Sequence, residues 1–244
     1  NIRRVFCMRH FIFDVDGTLT PSRDKMDPEF KKWFIDQGKK EYFYVVTGSN
    51  YEKTFEQMGS ALMSTQICYN CSGNSVHLKG VEVYKSEWTL PSNMEKFLEG
   101  TLERHPYSEK TGNHIEHRPG LVNFSVVGRN ADKEQRQKYV QYDEKTSDRE
   151  IISNRFNKIY TKHGVLAQIA GETGIDIMPI GAGKSQILTD FNEEDVIYFF
   201  GDKCSKGGND YDIAESLKLW PHGKVYHVKD WTETFKHLRE IISE

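Results

Sequence analysis

Short apolar runs that stop at Asp, Gly or a hydroxyl residue constrain this chain more than any other feature. Residues 11–15 and 42–47 are dense in aromatic and β-branched side chains, the texture of strands buried on both faces of a parallel sheet. Asp16-Gly17-Thr18 marks the end of the first run and Gly48-Ser49-Asn50 follows the second. A later run, 195–200, ends in Gly201-Asp202. Open α/β sheets collect their ligands outside the carboxyl ends of the strands, so chemistry is expected at these three junctions.

Between them the texture changes twice. Residues 67–69 read as a further short strand, and Ser49 or Asn50 can cap a helix running to about Met58. From about 81 to 178, charged amphipathic helices over 93–105, 132–142 and 147–163 alternate with strands over 114–116 and 121–127. Two more strands, 165–170 and 175–178, flank a turn at 171–174, and Ser147-Asp-Arg-Glu150 has the spacing of a capping box. After Lys184 the first texture returns, with a strand at 195–200, a Gly-rich turn, a helix from Asp210, a strand at 224–228 and a closing helix from Trp231. The expected class is α/β: a Rossmann-like parallel-sheet core from residues 1–80 and 180–244, with an α+β domain inserted over 81–179.

Composition excludes several roles. Lys and Arg number 33 against 36 Asp and Glu, so the net charge of -3 gives no footprint for nucleic acid. No run approaches the ~20 apolar residues of a membrane span, and the apolar stretch at 11–13 is too short for a signal-peptide core. Met8 onward reads well as a start running directly into a strand, and residues 1–7 can equally belong to the protein. Four cysteines (Cys7, Cys68, Cys71 and Cys204) do not make a disulfide scaffold at this length and fit a reduced, cytoplasmic setting. Cys68-Tyr-Asn-Cys71 has no second Cys or His pair, so small buried or loop thiols are expected rather than zinc. Gly181-Ala-Gly-Lys184-Ser185 ends like a nucleotide-binding loop, but Met178 stands where its first glycine belongs; Lys184 alone is retained.

The chemistry centres on Asp14-Val-Asp16-Gly17-Thr18. Two carboxylates two residues apart in extended chain face the same way. Such a pair can bind Mg²⁺ and divide the work between a nucleophile and a proton carrier. Thr47-Gly-Ser49 offers hydroxyls and backbone N–H groups to a phosphate oxygen, and Lys184 offers a charge to offset it. Asp202 and Gly207-Gly-Asn-Asp210 add oxygen ligands. Each piece has a bland reading as a turn, a helix cap or a solvated lysine; the four together, in this order, do not.

In that order the motifs resemble those of the haloacid-dehalogenase superfamily, and the long insert resembles its type IIB cap. Within that branch, Arg118-Pro-Gly-Leu-Val-Asn123-Phe-Ser-Val-Val-Gly128-Arg129, with Arg136 after it, is similar to eukaryotic-type phosphomannomutases. So are Gly174-Ile-Asp176-Ile-Met-Pro179 and Phe199-Phe-Gly-Asp202-Lys203. The resemblance implies Asp14 as nucleophile, Asp16 as general acid/base, and Thr47, Ser49 and Lys184 around the transferring phosphoryl group. It implies Asp14, Asp16 through its backbone carbonyl, Asp202 and Asp210 for Mg²⁺. Substrate contacts would come from Arg23 and, in the cap, from Arg118, Arg129, Arg136 and Asp176. A phosphosugar substrate, a hexose 1,6-bisphosphate activator and a homodimer through the cap are implied in the same way.

The cap arginines separate a mutase from the alternative, a Mg²⁺-dependent sugar phosphatase of the same superfamily. A mutase must hold a bisphosphorylated sugar at two dianion sites, and guanidinium forks suit the second. Two positions depart from the pattern: Gly174 stands where these mutases usually have a serine, and Val126 replaces a usual proline. The segment 214–219 also departs from the pattern many members use for an additional cation. His114 and His117 lie near Arg118, although a strand histidine is more often packed or solvated.

Overall fold

The computed structural model describes residues 8–243, so Arg3, Arg4, Cys7 and the reading of Met8 as a start lie outside, or depend on, residues beyond that range. Two compact units are present. One comprises the described residues through Tyr84 together with Gly183–Lys206 and the residues from Asp210 onward; the other comprises Lys85–Ala182 with Gly207–Asn209.

The first unit is built on a seven-stranded sheet ordered β11-β10-β1-β2-β3-β4-β5. Its strands are β1 (Arg9–Phe13), β2 (Tyr42–Val46), β3 (Ile67–Asn70), β4 (Ser75–Leu78), β5 (Val81–Lys85), β10 (Val196–Gly201) and β11 (Gly223–His227). The pairs β1–β10, β1–β2, β2–β3 and β10–β11 are parallel, and β3–β4 is antiparallel. Alternation along the strands divides the apolar residues between two cores. Phe11, Phe13, Phe43, Val45, Tyr198 and Phe200 pack with Phe30 and Phe34 of α1 (Pro28–Gln37) and Leu238 of α7 (Trp231–Ser243). Ile12, Tyr44, Val46, Ile197 and Phe199 pack with Ile213, Ala214 and Leu217 of α6 (Tyr211–Lys218) and with Ile187 and Leu188 of the 3-10 helix Lys184–Asp190.

Several expected boundaries move for local reasons. β1 stops at Phe13, two residues early, because the Val15 carbonyl accepts the N–H groups of Thr18, Leu19 and Thr20 and so winds the chain into a turn. α2 (Tyr51–Met58) is capped by Asn50, whose side chain accepts Lys53 N–H at 3.1 Å. The change of unit falls after Tyr84 rather than at 81 because β5 extends the core sheet. Gly207–Asn209, read in the sequence as part of the core, groups with the second unit.

The second unit carries a four-stranded antiparallel sheet ordered β6-β7-β9-β8. Its strands are β6 (Ile115–Arg118), β7 (Leu121–Phe124), β8 (Val165–Ala170) and β9 (Gly174–Pro179). Val122, Phe124, Ile175 and Ile177 form one apolar core with residues of α3 (Ser92–Glu103), α4 (Lys133–Thr146) and α5 (Asp148–Tyr160). The capping box expected at Ser147 is not formed. Ser147 also closes α4, which puts it in the left-handed region (φ 53°, ψ 38°), and its side chain makes no capping bond. A capping box stands instead at the start of α4, between Asp132 and Gln135. Among the described residues no helix is long and apolar enough to cross a membrane.

Candidate active site

The parallel neighbours β10, β1 and β2 place their carboxyl-end loops at one edge of the sheet. Phe13 stands opposite both Phe200 and Val45, so Asp14, Gly201 and Val46 come level. Asp14 is the first residue beyond β1, its N–H donates to the Phe200 carbonyl at 2.9 Å, and its side chain is buried. Lys184, only 1% exposed, donates from Nζ to Asp14 Oδ1 at 2.5 Å and to Asp210 Oδ1 at 2.6 Å. Asp210 Oδ2 accepts Lys203 N–H at 3.0 Å, and Lys203 Nζ reaches Asp202 Oδ2 at 2.7 Å.

Each of Asp14, Asp202 and Asp210 contributes an oxygen, all within 4.8 Å of one another. Three carboxylates against two ammonium groups leave this cluster one negative charge in excess. Burial raises the Asp14 carboxyl well above the ordinary carboxylate range; Lys184 opposes the rise, and Asp210 and Asp202 add to it. Burial works against the Lys184 charge, but Asp14 and Asp210 outweigh it and hold the ammonium above its ordinary value. An all-carboxylate donor set with an unmet negative charge fits a hard divalent cation.

Gly17 makes that approach possible. Its φ of +82° is a left-handed conformation, and a Cβ there would stand 2.7 Å from Asp202 Oδ2.

Asp16 does not join the cluster. Asp14 and Asp16 were expected to face the same way as a pair, but the turn after β1 sends the Asp16 carboxylate elsewhere. Its Oδ1 accepts Arg23 N–H at 2.7 Å and Gln57 Nε2–H at 2.9 Å. The carboxylate pair read from the spacing is therefore not formed, and the metal role that the resemblance implies for Asp16 rests on its backbone carbonyl alone. Gln57, buried on α2, was not identified from the sequence, because a glutamine on an amphipathic helix carries no motif.

Thr47 and Ser49 lie beyond β2, both buried, with Thr47 Oγ1 accepting Ser49 N–H at 3.1 Å. Arg23 is exposed, with φ 55°. The thiols of Cys68 and Cys204 are buried and donate to Asn70 Oδ1 and the Gly201 carbonyl. Burial pushes both thiols up, so they stay neutral.

In the second unit, Glu116, Asn123, Asp176 and Gln168 stand opposite one another across β6, β7, β9 and β8. Their row is polar while the alternate residues enter the apolar core, as strand alternation requires. Arg118 grips Glu116 with two bonds, Nε to Oε1 at 3.1 Å and Nη2 to Oε2 at 2.8 Å. Arg129 Nε also reaches Glu116 Oε2, at 2.5 Å, and its Nη1 donates to Asn123 Oδ1 at 3.3 Å. Asn123 Nδ2 donates to the buried Asp176 at 2.6 Å. Arg118 and Arg129 are thus brought together on one carboxylate, whereas Arg136 pairs with Glu172. Exposed His117 pairs with Glu95 and His114 lies 2.8 Å from the Ser125 carbonyl, so both take the packed or solvated reading. At Gly174 a Cβ would stand 2.6 Å from Asn123 Nδ2; the carboxamide fills the space a serine would need.

Comparisons with known proteins agree with this architecture. A family model described as eukaryotic phosphomannomutase matches residues 30–244. A probable phosphomannomutase of Caenorhabditis elegans is 29% identical over 96% of this chain and 95% of its own length. The phosphomannomutase of Nicotiana benthamiana is 32% identical over 86% of each chain. Among solved structures, a Plasmodium falciparum IMP-nucleotidase superposes with TM-score 0.64 over 98% of this chain and 69% of its own, at 14% identity, a likeness of fold alone.

Proposed function

The chain belongs to the eukaryotic phosphomannomutase family, and from that premise we propose that it interconverts mannose 6-phosphate and mannose 1-phosphate through a hexose 1,6-bisphosphate. The observation that carries the reading is the buried Asp14, held by Lys184 at the carboxyl edge of the parallel strands.

In this reading Asp14 is the nucleophile. Lys184, locked in its charged state, fixes one Asp14 oxygen, and the other attacks phosphorus to form an aspartyl-phosphate. When the sugar hydroxyl takes that phosphoryl group back, Asp16 accepts the hydroxyl proton as the new P–O bond forms and the bond to Asp14 breaks. In the opposite transfer Asp16 returns the proton to the departing sugar oxygen. Asp14, Asp202 and Asp210 would hold Mg²⁺, which when bound supplies positive charge to the phosphoryl oxygens. The hydroxyls and N–H groups of Thr47 and Ser49 serve the same oxygens.

A bisphosphorylated intermediate demands a second dianion site. Arg118 and Arg129 have the chemistry for it, since guanidinium forks bind phosphate bidentately and stay charged. We assign the inserted unit, with Arg136 and Asp176, to sugar-phosphate recognition, and Arg23 to substrate contact. The hexose 1,6-bisphosphate belongs here as activator, since a molecule that begins with Asp14 unphosphorylated must first acquire a phosphoryl group.

Acyl-phosphate trapping tests the chemistry. Incubation with the bisphosphate followed by borohydride reduction is expected to convert Asp14 to homoserine, read by mass spectrometry of the peptide containing residues 10–20. Reduction at another carboxylate, or none, would contradict the assignment.

A further inference from the structure

Asp16 is expected to move a proton, yet its carboxylate is held from outside its own loop. Gln57 sits near the carboxyl end of α2 and is 6% exposed. Its Nε2 donates to Asp16 Oδ1 at 2.9 Å and to Thr20 Oγ1 at 3.2 Å. Thr20 Oγ1 in turn donates to the Val15 carbonyl at 3.3 Å, which turns a lone pair toward the amide. The Gln57 carbonyl accepts Met26 N–H at 2.9 Å, tying α2 to the segment that carries Arg23. Arg23 sits in the left-handed region, a costly conformation for a residue with a side chain, and from there its N–H reaches the same Asp16 oxygen.

Both bonds fall on Oδ1. Oδ2 has no hydrogen-bond partner among the described residues, so the two oxygens are unequal: one anchored, one left for a proton. The Gln57 side chain holds its own Oε1 buried without a partner. A buried acceptor left unpaired is a cost that an apolar side chain of equal length would avoid. The donors are what this position uses.

We propose that Gln57 is a positioning residue that fixes the Asp16 carboxylate through Oδ1 and leaves Oδ2 to exchange the proton with the sugar hydroxyl. This rests on the reading of Asp16 as the general acid/base. Without the amide, the carboxylate turns about its own χ angles, and proton transfer suffers while binding and nucleophilic attack do not.

The test uses leaving groups. A sugar oxygen departs only if it is protonated, whereas p-nitrophenolate departs without a proton. Gln57→Met keeps length and bulk and removes both donors. It is expected to lower kcat for mannose 1-phosphate isomerisation by ~10- to 100-fold, part of the ~10²–10⁴ that a positioned acid/base supplies. KM should stay within about twofold, and the pre-steady-state burst of nitrophenolate from p-nitrophenyl phosphate should hold its rate. In an Asp16→Asn background the same change should cost nothing further, as coupled residues require. Equal losses on both substrates in a variant of parental circular dichroism, an unchanged kcat for the sugar, or additivity with Asp16→Asn would each overturn the proposal. Failure of the underlying reading has its own signature: Asp16→Asn alone would then show no difference between the two leaving groups.

Discussion

Among the described residues, Lys184 bridges Asp14 and Asp210 through one ammonium, and removing it has a calculable consequence. The residue is 1% exposed, and its ammonium lies 2.5 Å from Asp14 and 2.6 Å from Asp210. Lys184→Met keeps the stem and deletes the charge, leaving three carboxylates with an oxygen of each within 4.8 Å of the others and Lys203 as the ammonium beside them among the described residues. Breaking a buried ion pair from one side costs ~3–5 kcal/mol because the partner charge stays buried and uncompensated. For a chain of this size each kcal/mol moves Tm by about 2–4 °C, so the variant should melt roughly 6–20 °C below the parent. Two remedies should recover part of that loss. Lower pH neutralises a carboxylate, and Mg²⁺ supplies the missing charge, so added Mg²⁺ should raise the variant's Tm by more than the parent's. The assay is calorimetry with and without millimolar Mg²⁺. A variant that melts with the parent, or that gains no more from Mg²⁺ than the parent does, would refute the charge argument.

Three further perturbations address other parts of the molecule. Arg129→Ala removes a fork from Glu116 and Asn123; steady-state kinetics should show isomerisation falling at least tenfold more than cleavage of a small aryl phosphate, and equal losses would remove the second-phosphate argument. Gly17→Ala forces a side chain into φ +82° and against Asp202, so turnover should collapse and urea unfolding should lose at least the ~1–2 kcal/mol of a left-handed residue. Burial lowers the His10 pKa below its ordinary value, with Asp195 opposing. The unfolded chain therefore binds the proton first, at about pH 6.5, and stability is lost as pH falls from there through the lowered folded value. Urea midpoints from pH 7 to 5 should drop more steeply in the parent than in His10→Gln, and parallel slopes would refute the assignment.

The parallel core was legible because apolar density and strand-end chemistry coincide at the same residues, as in Phe13-Asp14 and Phe200-Gly201-Asp202. A cap at Ser49 or Asn50 was legible from residue type, and Asn50 is the one that takes it. Helix α1 was not singled out, although Asp27 caps it through Glu29 and Phe30 N–H and Pro28 starts it. The β4–β5 hairpin escaped because its edge residues are exposed and mixed in character. Asp14 and Asp202 meet at the ends of their strands as expected, and Lys184 and Asp210 join them from the starts of the 3-10 helix and of α6. Gln57 and Glu116 could not be read in advance: their roles come from a turn that redirects Asp16 and from a strand register that sets Glu116 opposite Asn123. Ser147 shows the limit of a local signal, since closing α4 fixed its backbone and cancelled the capping box its sequence spells.

Phosphorus NMR of the protein with Mg²⁺ and mannose 1-phosphate, with and without a catalytic amount of hexose 1,6-bisphosphate, tests the central claim most directly. The account predicts growth of the mannose 6-phosphate resonance, accelerated by the bisphosphate, with little inorganic phosphate. Accumulation of inorganic phosphate with no second sugar phosphate would contradict it and make the chain a phosphatase.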